Sequence, residues 1–159
     1  MNRNWIAKVA VTLAFAGSAI SVSAQAAQPI ELVGLVKVDK VVVENGQEKH
    51  LLEDPKVVVP GDKLLFTTKY RNASNETVRS FVVTNPVPAG VALAANGADA
   101  QTVSVDGGKT WGKLSNLTVS DGKGGTRPAT AEDVTHLRWV LGEVAPGASG
   151  ALSYNAIVR

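Results

Sequence analysis

The sequence contains no cysteine, which excludes disulfides, thiolate metal ligands, cysteine nucleophiles and covalent haem attachment. Histidine occurs only twice, at His50 and His136, so any imidazole chemistry would depend on these two positions. No G-x-S-x-G elbow and no H-E-x-x-H pair occurs. The sequence therefore predicts a protein that is not an enzyme, with no catalytic residue and no cofactor.

Clustered positive charge is also lacking. Lys and Arg number 16 against 14 Asp and Glu, but Arg3 and Lys8 are the only charged residues before Glu31. The chain from Glu31 onward thus carries 14 charges of each sign and no run of basic residues. Nucleic acids and anionic membrane surfaces both select clustered Lys and Arg. We therefore expect neither of them as a partner.

Residues 1–26 have the pattern of a secretory signal peptide. A positive segment ending at Lys8 precedes a mainly apolar run of twelve residues, 9–20, and small residues then offer cleavage after Ala24, Ala26 or Ala27. The alternative is a transmembrane anchor, but twelve helical residues span about 18 Å of a hydrocarbon core about 30 Å thick. We expect export to the periplasm, the cell surface or the medium, and no transmembrane segment after cleavage.

The body of the chain alternates apolar and polar residues, which is typical of half-buried β-strands. In the run 64–71, Leu64, Phe66 and Tyr70 share one face, while Lys69 and Arg71 lie on the other. The runs 137–141 and 152–158 alternate in the same way. The sequence predicts an all-β fold with about seven to nine strands in two packed antiparallel sheets.

Turn sequences separate these runs. Asn45-Gly46 is a strong hairpin signal, because both residues tolerate positive φ. The residues Asp121–Pro128 predict a flexible loop, and the segment 129–135 predicts a helical turn capped by Thr130.

The N-terminal segment 28–58 predicts a β-arm made of a long strand, 30–44, and a second strand ending near Leu52. Both faces of the first strand carry apolar residues. Two interpretations stay open. The arm is either the first strand of the same domain or a segment that pairs with the sheet edge of another subunit, by β-augmentation.

Three blocks of the remaining chain, within residues 59–158, resemble the DUF11 conserved-repeat family in order, spacing and residue type. The motif residues are Pro60, Gly61, Asp62, Asn85, Pro86, Pro88, Gly90, Trp139, Pro146 and Gly147. The resemblance implies that residues 59–159 form an immunoglobulin-like β-sandwich of the kind found in exported and surface proteins of bacteria and archaea. It also implies structural roles for these residues, in turns, at strand ends and, for Trp139, in the core.

A second, local resemblance covers residues 104–111, SVDGGKTW, which match the Asp-box pattern S-x-D-x-G-x-T-W of sialidase-type propellers. In this pattern Asp106 accepts backbone N–H bonds across a turn, Gly108 supplies positive φ, and Trp111 packs over the loop. One copy on a chain of this length predicts a β-hairpin and not a propeller.

Oxygen ligands are the remaining option for a metal. Asp99, Asp106 and Asp121 lie in glycine-rich stretches, which makes them weak calcium candidates, although no spacing matches an EF-hand. Trp111 is the aromatic residue we expect to be available for ligand contact.

The sequence thus predicts a non-enzymatic exported envelope or surface module that contacts other envelope proteins or associates with itself. The alternative is a glycan-binding module that uses loop residues near Trp111.

Overall fold

The computed structural model describes residues 29–98 and 102–159. The predicted signal peptide and Asp99 lie outside the described residues. The strands are β1 (Ile30–Glu44), β2 (Gln47–Glu53), β3 (Lys63–Asn72), β4 (Val78–Pro86), β5 (Val91–Leu93), β6 (Thr102–Ser104), β7 (Thr118–Ser120), β8 (Thr126–Pro128), β9 (His136–Val144) and β10 (Ser149–Val158). One helical turn, α1 (Ala95–Ala98), and two 3-10 turns at Leu114–Asn116 and Ala131–Asp133 complete the elements.

All strand pairings are antiparallel, and they form two main sheets. The first has the order β2-β1-β3-β10-β5 and the second the order β4-β9-β6, while β7 and β8 form a separate hairpin. The predicted all-β architecture is confirmed. The described residues hold ten strands where seven to nine were predicted, because strands of only three residues, such as β5 and β8, give too short an alternation to be recognised from sequence.

The two sheets share one core. Its most deeply buried apolar side chains include Val103 and Leu137 from the second sheet and Leu93 and Ala156 from the first. Phe66 stacks on Tyr154 with ring centroids 4.8 Å apart. The period of two predicted for β3, β9 and β10 therefore corresponds to core-facing side chains.

Turns in the structure coincide with the proline and glycine motifs. Before β3, Gly61 has a φ of 95°, and the Asp62 carboxylate accepts a hydrogen bond from the Val59 N–H at 2.9 Å. Before β10, Gly147 has a φ of 75°, a value that residues with a side chain rarely adopt. Pro146 directly precedes Gly147 in this exposed turn.

The segment containing Asn85, Pro86, Pro88 and Gly90 ends β4. The Asn85 side-chain amide donates to Thr68 Oγ1 at 2.7 Å, and the Pro86 carbonyl accepts a bond from the Tyr154 hydroxyl at 3.4 Å. The carbonyls of Pro88 and Gly90 accept from the N–H groups of Val91 and Arg159. These bonds hold the end of β4 against the neighbouring sheet.

The residues Asp121–Pro128 differ from the predicted loop, because the last three of them form β8 and pair with β7. The Asp121 carboxylate accepts bonds from the N–H groups of Lys123 and Gly125 at 2.8 and 2.9 Å and so closes the turn between the strands. The helical turn predicted for the segment 129–135 is confirmed at Ala131–Asp133.

No helix among the described residues is long and apolar enough to cross a bilayer.

Candidate interaction surface

The first strand of the larger sheet has one edge that is only partly covered. Along one side, β1 pairs with β3 from Ile30 to Asp39 without a break in register. Along the other side, β2 pairs with β1 only from Val38 onward. Within the described part of the chain, residues 30–37 therefore have no strand partner on this side, and we call them the open edge.

The backbone register shows which groups of the open edge are unpaired. The Pro29 carbonyl accepts a bond from the Ala73 N–H at 3.0 Å, so residue 29 directs its backbone polar groups toward β3. Successive residues of a strand direct these groups to opposite sides, and the register with β3 contains no bulge. Leu32, Gly34 and Val36 therefore direct their N–H and C=O groups away from β3, to the open edge.

The side chains of the open edge are largely apolar and exposed. Leu32, Val33 and Leu35 keep 47%, 56% and 38% of their surface exposed. Glu31 and Lys37 lie on the same face of the strand as Val33 and Leu35, because all four positions are odd. An exposed apolar edge with unpaired backbone groups is a template for a further strand.

Beyond the sandwich, β1 and β2 continue as a two-stranded ribbon. Residues 40–44 pair with residues 47–51 across the Asn45-Gly46 turn, whose φ angles are 55° and 77°. Residues 40–44 lie past the last pair with β3, so the ribbon has no third strand in its sheet among the described residues. The predicted hairpin is confirmed, and it projects past the end of β3.

Exposed side-chain contacts connect the two strands of the ribbon. Lys40 Nζ lies 2.9 Å from Glu53 Oε2, and this contact raises the pKa of Lys40. His50 Nδ1 lies 2.8 Å from Asp39 Oδ1. Exposed pairs of this kind contribute little to stability, so the ribbon is held mainly by its own ladder.

The outermost strands of the two main sheets, β2, β4, β5 and β6, are protected along their outer edges. The β2 edge carries the charged residues Glu48, Lys49 and Glu53. The β4 edge is interrupted by Ser80, whose φ of 53° breaks the extended backbone. β5 and β6 have only three residues each. Charge, backbone irregularity and short length are the usual devices against unwanted strand pairing, and the open edge of β1 has none of them along its central residues 32–36.

Asp106 lies at the centre of the loop formed by residues 104–111. Its carboxylate accepts bonds from the N–H groups of Lys109 and Thr110 at 3.0 and 2.9 Å and from the hydroxyls of Ser104 and Thr110 at 2.7 Å. The backbone bond from Thr110 and the two hydroxyl bonds hold the pKa of Asp106 well below its usual range. The carboxylate thus stabilises its own loop.

Trp111 is half-buried beside this loop. Its Nε1 donates to the Gly108 carbonyl at 2.9 Å, and the Arg138 guanidinium carbon lies 3.7 Å from the ring centroid. The His136 ring lies edge-on to the Trp111 ring, with the two ring centroids 6.3 Å apart. One face of the indole is therefore occupied by Arg138, whose buried Nε has no hydrogen-bond partner among the described atoms.

The acidic and histidine side chains of the described residues are not gathered at a metal site. Within the described residues, no group of three or more His, Asp or Glu side chains could hold a metal ion. Asp133 is paired with Arg127 through two bonds of 2.7 and 2.8 Å, which lower the pKa of the Asp133 carboxyl. His136 Nδ1 contacts the Thr135 hydroxyl at 3.1 Å. Trp139 is partly buried against the core, with its ring 6.4 Å from that of Tyr154.

Comparison of the chain with protein-family models, with curated proteins and with solved structures found no match. The resemblance to the DUF11 family accordingly stays a prediction.

Proposed function

We propose that this chain is a non-enzymatic exported module of the bacterial envelope that binds other proteins by strand addition at the open edge of β1. The observation that carries the proposal is the combination of unpaired backbone groups and exposed apolar side chains on residues 30–37. The immunoglobulin-like, DUF11-type character of the sandwich and the export of the chain are parts of the same proposal. They rest on the sequence motifs and the signal-like residues 1–26.

Strand addition suits this edge for two reasons. The backbone groups of Leu32, Gly34 and Val36 supply affinity without selecting a sequence, and the exposed side chains of Val33 and Leu35 supply an apolar contact. The neutral body of the chain adds no long-range attraction. Recognition then depends on shape and backbone pairing at the edge.

The experiment is affinity capture from an envelope extract with the wild-type chain and with Leu32→Pro as baits. Proline removes the outward N–H of residue 32 but no bond to β3, and the residue before it is already extended, as proline requires. We expect Leu32→Pro to keep the thermal stability of the wild type and to lose the captured partner. Val140→Lys, an exposed position on β9 in the other sheet, is the matched control and should capture as well as the wild type.

Recovery of the same partner by all three baits would contradict strand addition at this edge, and recovery of none by the wild type would contradict the contact function. The glycan-binding alternative stays a prediction. The contacts of Trp111 with other described residues do not favour it.

A further inference from the structure

The open edge has a charge pattern that complements itself. Its sequence from residue 31 to residue 37 is ELVGLVK, with Gly34 at the centre. If two copies of this stretch pair antiparallel about Gly34, Glu31 of one copy lies opposite Lys37 of the other. The same pairing places Leu32 opposite Val36 and Val33 opposite Leu35.

We propose that the partner at this edge is a second copy of the chain, paired through residues 31–37 about a two-fold axis at Gly34. This inference rests on the proposed function and names its partner. The two larger sheets would then form one continuous ten-stranded sheet across the dimer. Such an interface is isologous, so each stabilising contact occurs twice.

The backbone geometry is compatible with this register. Gly34, Leu32 and Val36 all direct their polar groups outward, so the pairs Gly34–Gly34 and Leu32–Val36 are the hydrogen-bonded ones. A Cβ built on Gly34 meets nothing within 4 Å, so no side chain of the same copy obstructs the axis. Pairing is limited to seven residues because β2 occupies the edge from Val38 onward, and seven residues is the length of an ordinary strand.

The side chains distinguish this register from its neighbours. On the outer face, Val33 and Leu35 of both copies form one apolar cluster, with a Glu31–Lys37 pair at each end. A shift of two residues in either direction removes both ion pairs. Within one copy, Lys37 Nζ lies 2.7 Å from Asp54 Oδ1. Because both side chains are exposed, this pair is weak, and the lysine can contact Glu31 of the second copy instead.

The first test is a disulfide. The chain has no cysteine, so Gly34→Cys introduces a single thiol whose partner across the axis would lie about 5.5 Å away between Cα atoms, within the range for a disulfide. We expect Gly34→Cys, purified from cells that express the full chain, to form a covalent dimer under mild oxidation. Val140→Cys on the other sheet is the control and should form little. Equal amounts of dimer in both variants would overturn the proposal.

The second test reverses charges and does not depend on the glycine site. In an Asp54→Asn background, Glu31→Lys should weaken the dimer in sedimentation equilibrium by about ten-fold, because like charges would then face each other twice. Adding Lys37→Glu should restore the affinity. A double variant as weak as the single one would overturn the register.

The two proposals can fail separately. A chain that stays monomeric at about 1 mM overturns self-association. If such a chain still captures another protein that Leu32→Pro loses, the proposed function stands and only the identity of the partner is wrong.

Discussion

The side-chain amide nitrogen of Asn72 donates a hydrogen bond to the backbone carbonyl of Val144 at 2.9 Å and thereby joins the ends of β3 and β9, which belong to different sheets. The same nitrogen donates to the Glu76 carbonyl at 2.7 Å, and the Asn72 side-chain oxygen accepts from the backbone and hydroxyl of Ser74. Asn72 is fully buried. The nitrogen and the oxygen of its side chain are thus both hydrogen-bonded to other residues of the protein.

Replacing Asn72 with alanine should lower the free energy of unfolding by about 3 kcal/mol, because the buried Val144 carbonyl loses its donor and the bonds from Asn72 to Glu76 and Ser74 are lost as well. Denaturant unfolding measures this difference. Asn75→Ala, at an exposed position in the same loop, is the control and should change stability by less than about 0.5 kcal/mol. Equal effects of the two substitutions would show that Asn72 does not join the sheets.

Asp106 should make the stability of the protein depend on pH in the acid range. Its folded-state pKa is lowered, so its contribution is fully present above the unfolded pKa of about 3.9 and is lost as the pH falls toward the folded value. Asp106→Asn should therefore be less stable than the wild type at neutral pH, and the difference between the two melting temperatures should begin to narrow below about pH 4 and shrink steadily as the pH falls further.

Glu48→Gln is the control for this pH series, since it removes a negative charge from the exposed ribbon. Its melting curve should follow that of the wild type across the same range. A constant gap between Asp106→Asn and the wild type down to the lowest pH measured would refute the role given to the carboxylate.

Ser80 has a φ of 53°, in the left-handed region, which costs a non-glycine residue about 1–2 kcal/mol. Ser80→Gly should relieve this cost and, after the entropy that glycine loses on folding, raise stability by about 0.5 kcal/mol. Ser149→Gly replaces a serine in β10 that is not at positive φ, and it should lower stability by about 0.5–1 kcal/mol. Thermal melts of both variants test the difference, and a loss of stability in both would mean that Ser80 is not strained.

The architecture could be predicted where the sequence carries a period or a turn signal. Two such signals are the placement of Leu64 and Phe66 on one face of β3 and the Asn45-Gly46 turn. Each depends on only a few neighbouring residues and can therefore be read directly from the sequence. The helical turn at Ala131–Asp133 is similar, because the Asp133 carboxylate accepts bonds from the backbone N–H and the hydroxyl of Thr130, three residues away.

The interaction surface could be predicted only in part. The apolar character of residues 30–38 is visible in the sequence, but the open edge depends on where β2 ends relative to β3, which is a matter of long-range register. The role of Asn72 also could not be predicted from the sequence, because its partner Val144 lies 72 residues away along the chain. The charges of Glu31 and Lys37 around Gly34 suggest self-pairing only once it is known which backbone groups point to the open edge.

The most direct measurement is amide hydrogen exchange along β1, followed residue by residue with NMR at several protein concentrations. At low concentration, Leu32, Gly34 and Val36 should exchange rapidly while Val33, Leu35 and Lys37 are protected by their bonds to β3. As the concentration rises, the three outward amides should become protected. Outward amides that stay unprotected at every concentration, and also when a captured partner is added, would contradict an edge that works by strand addition.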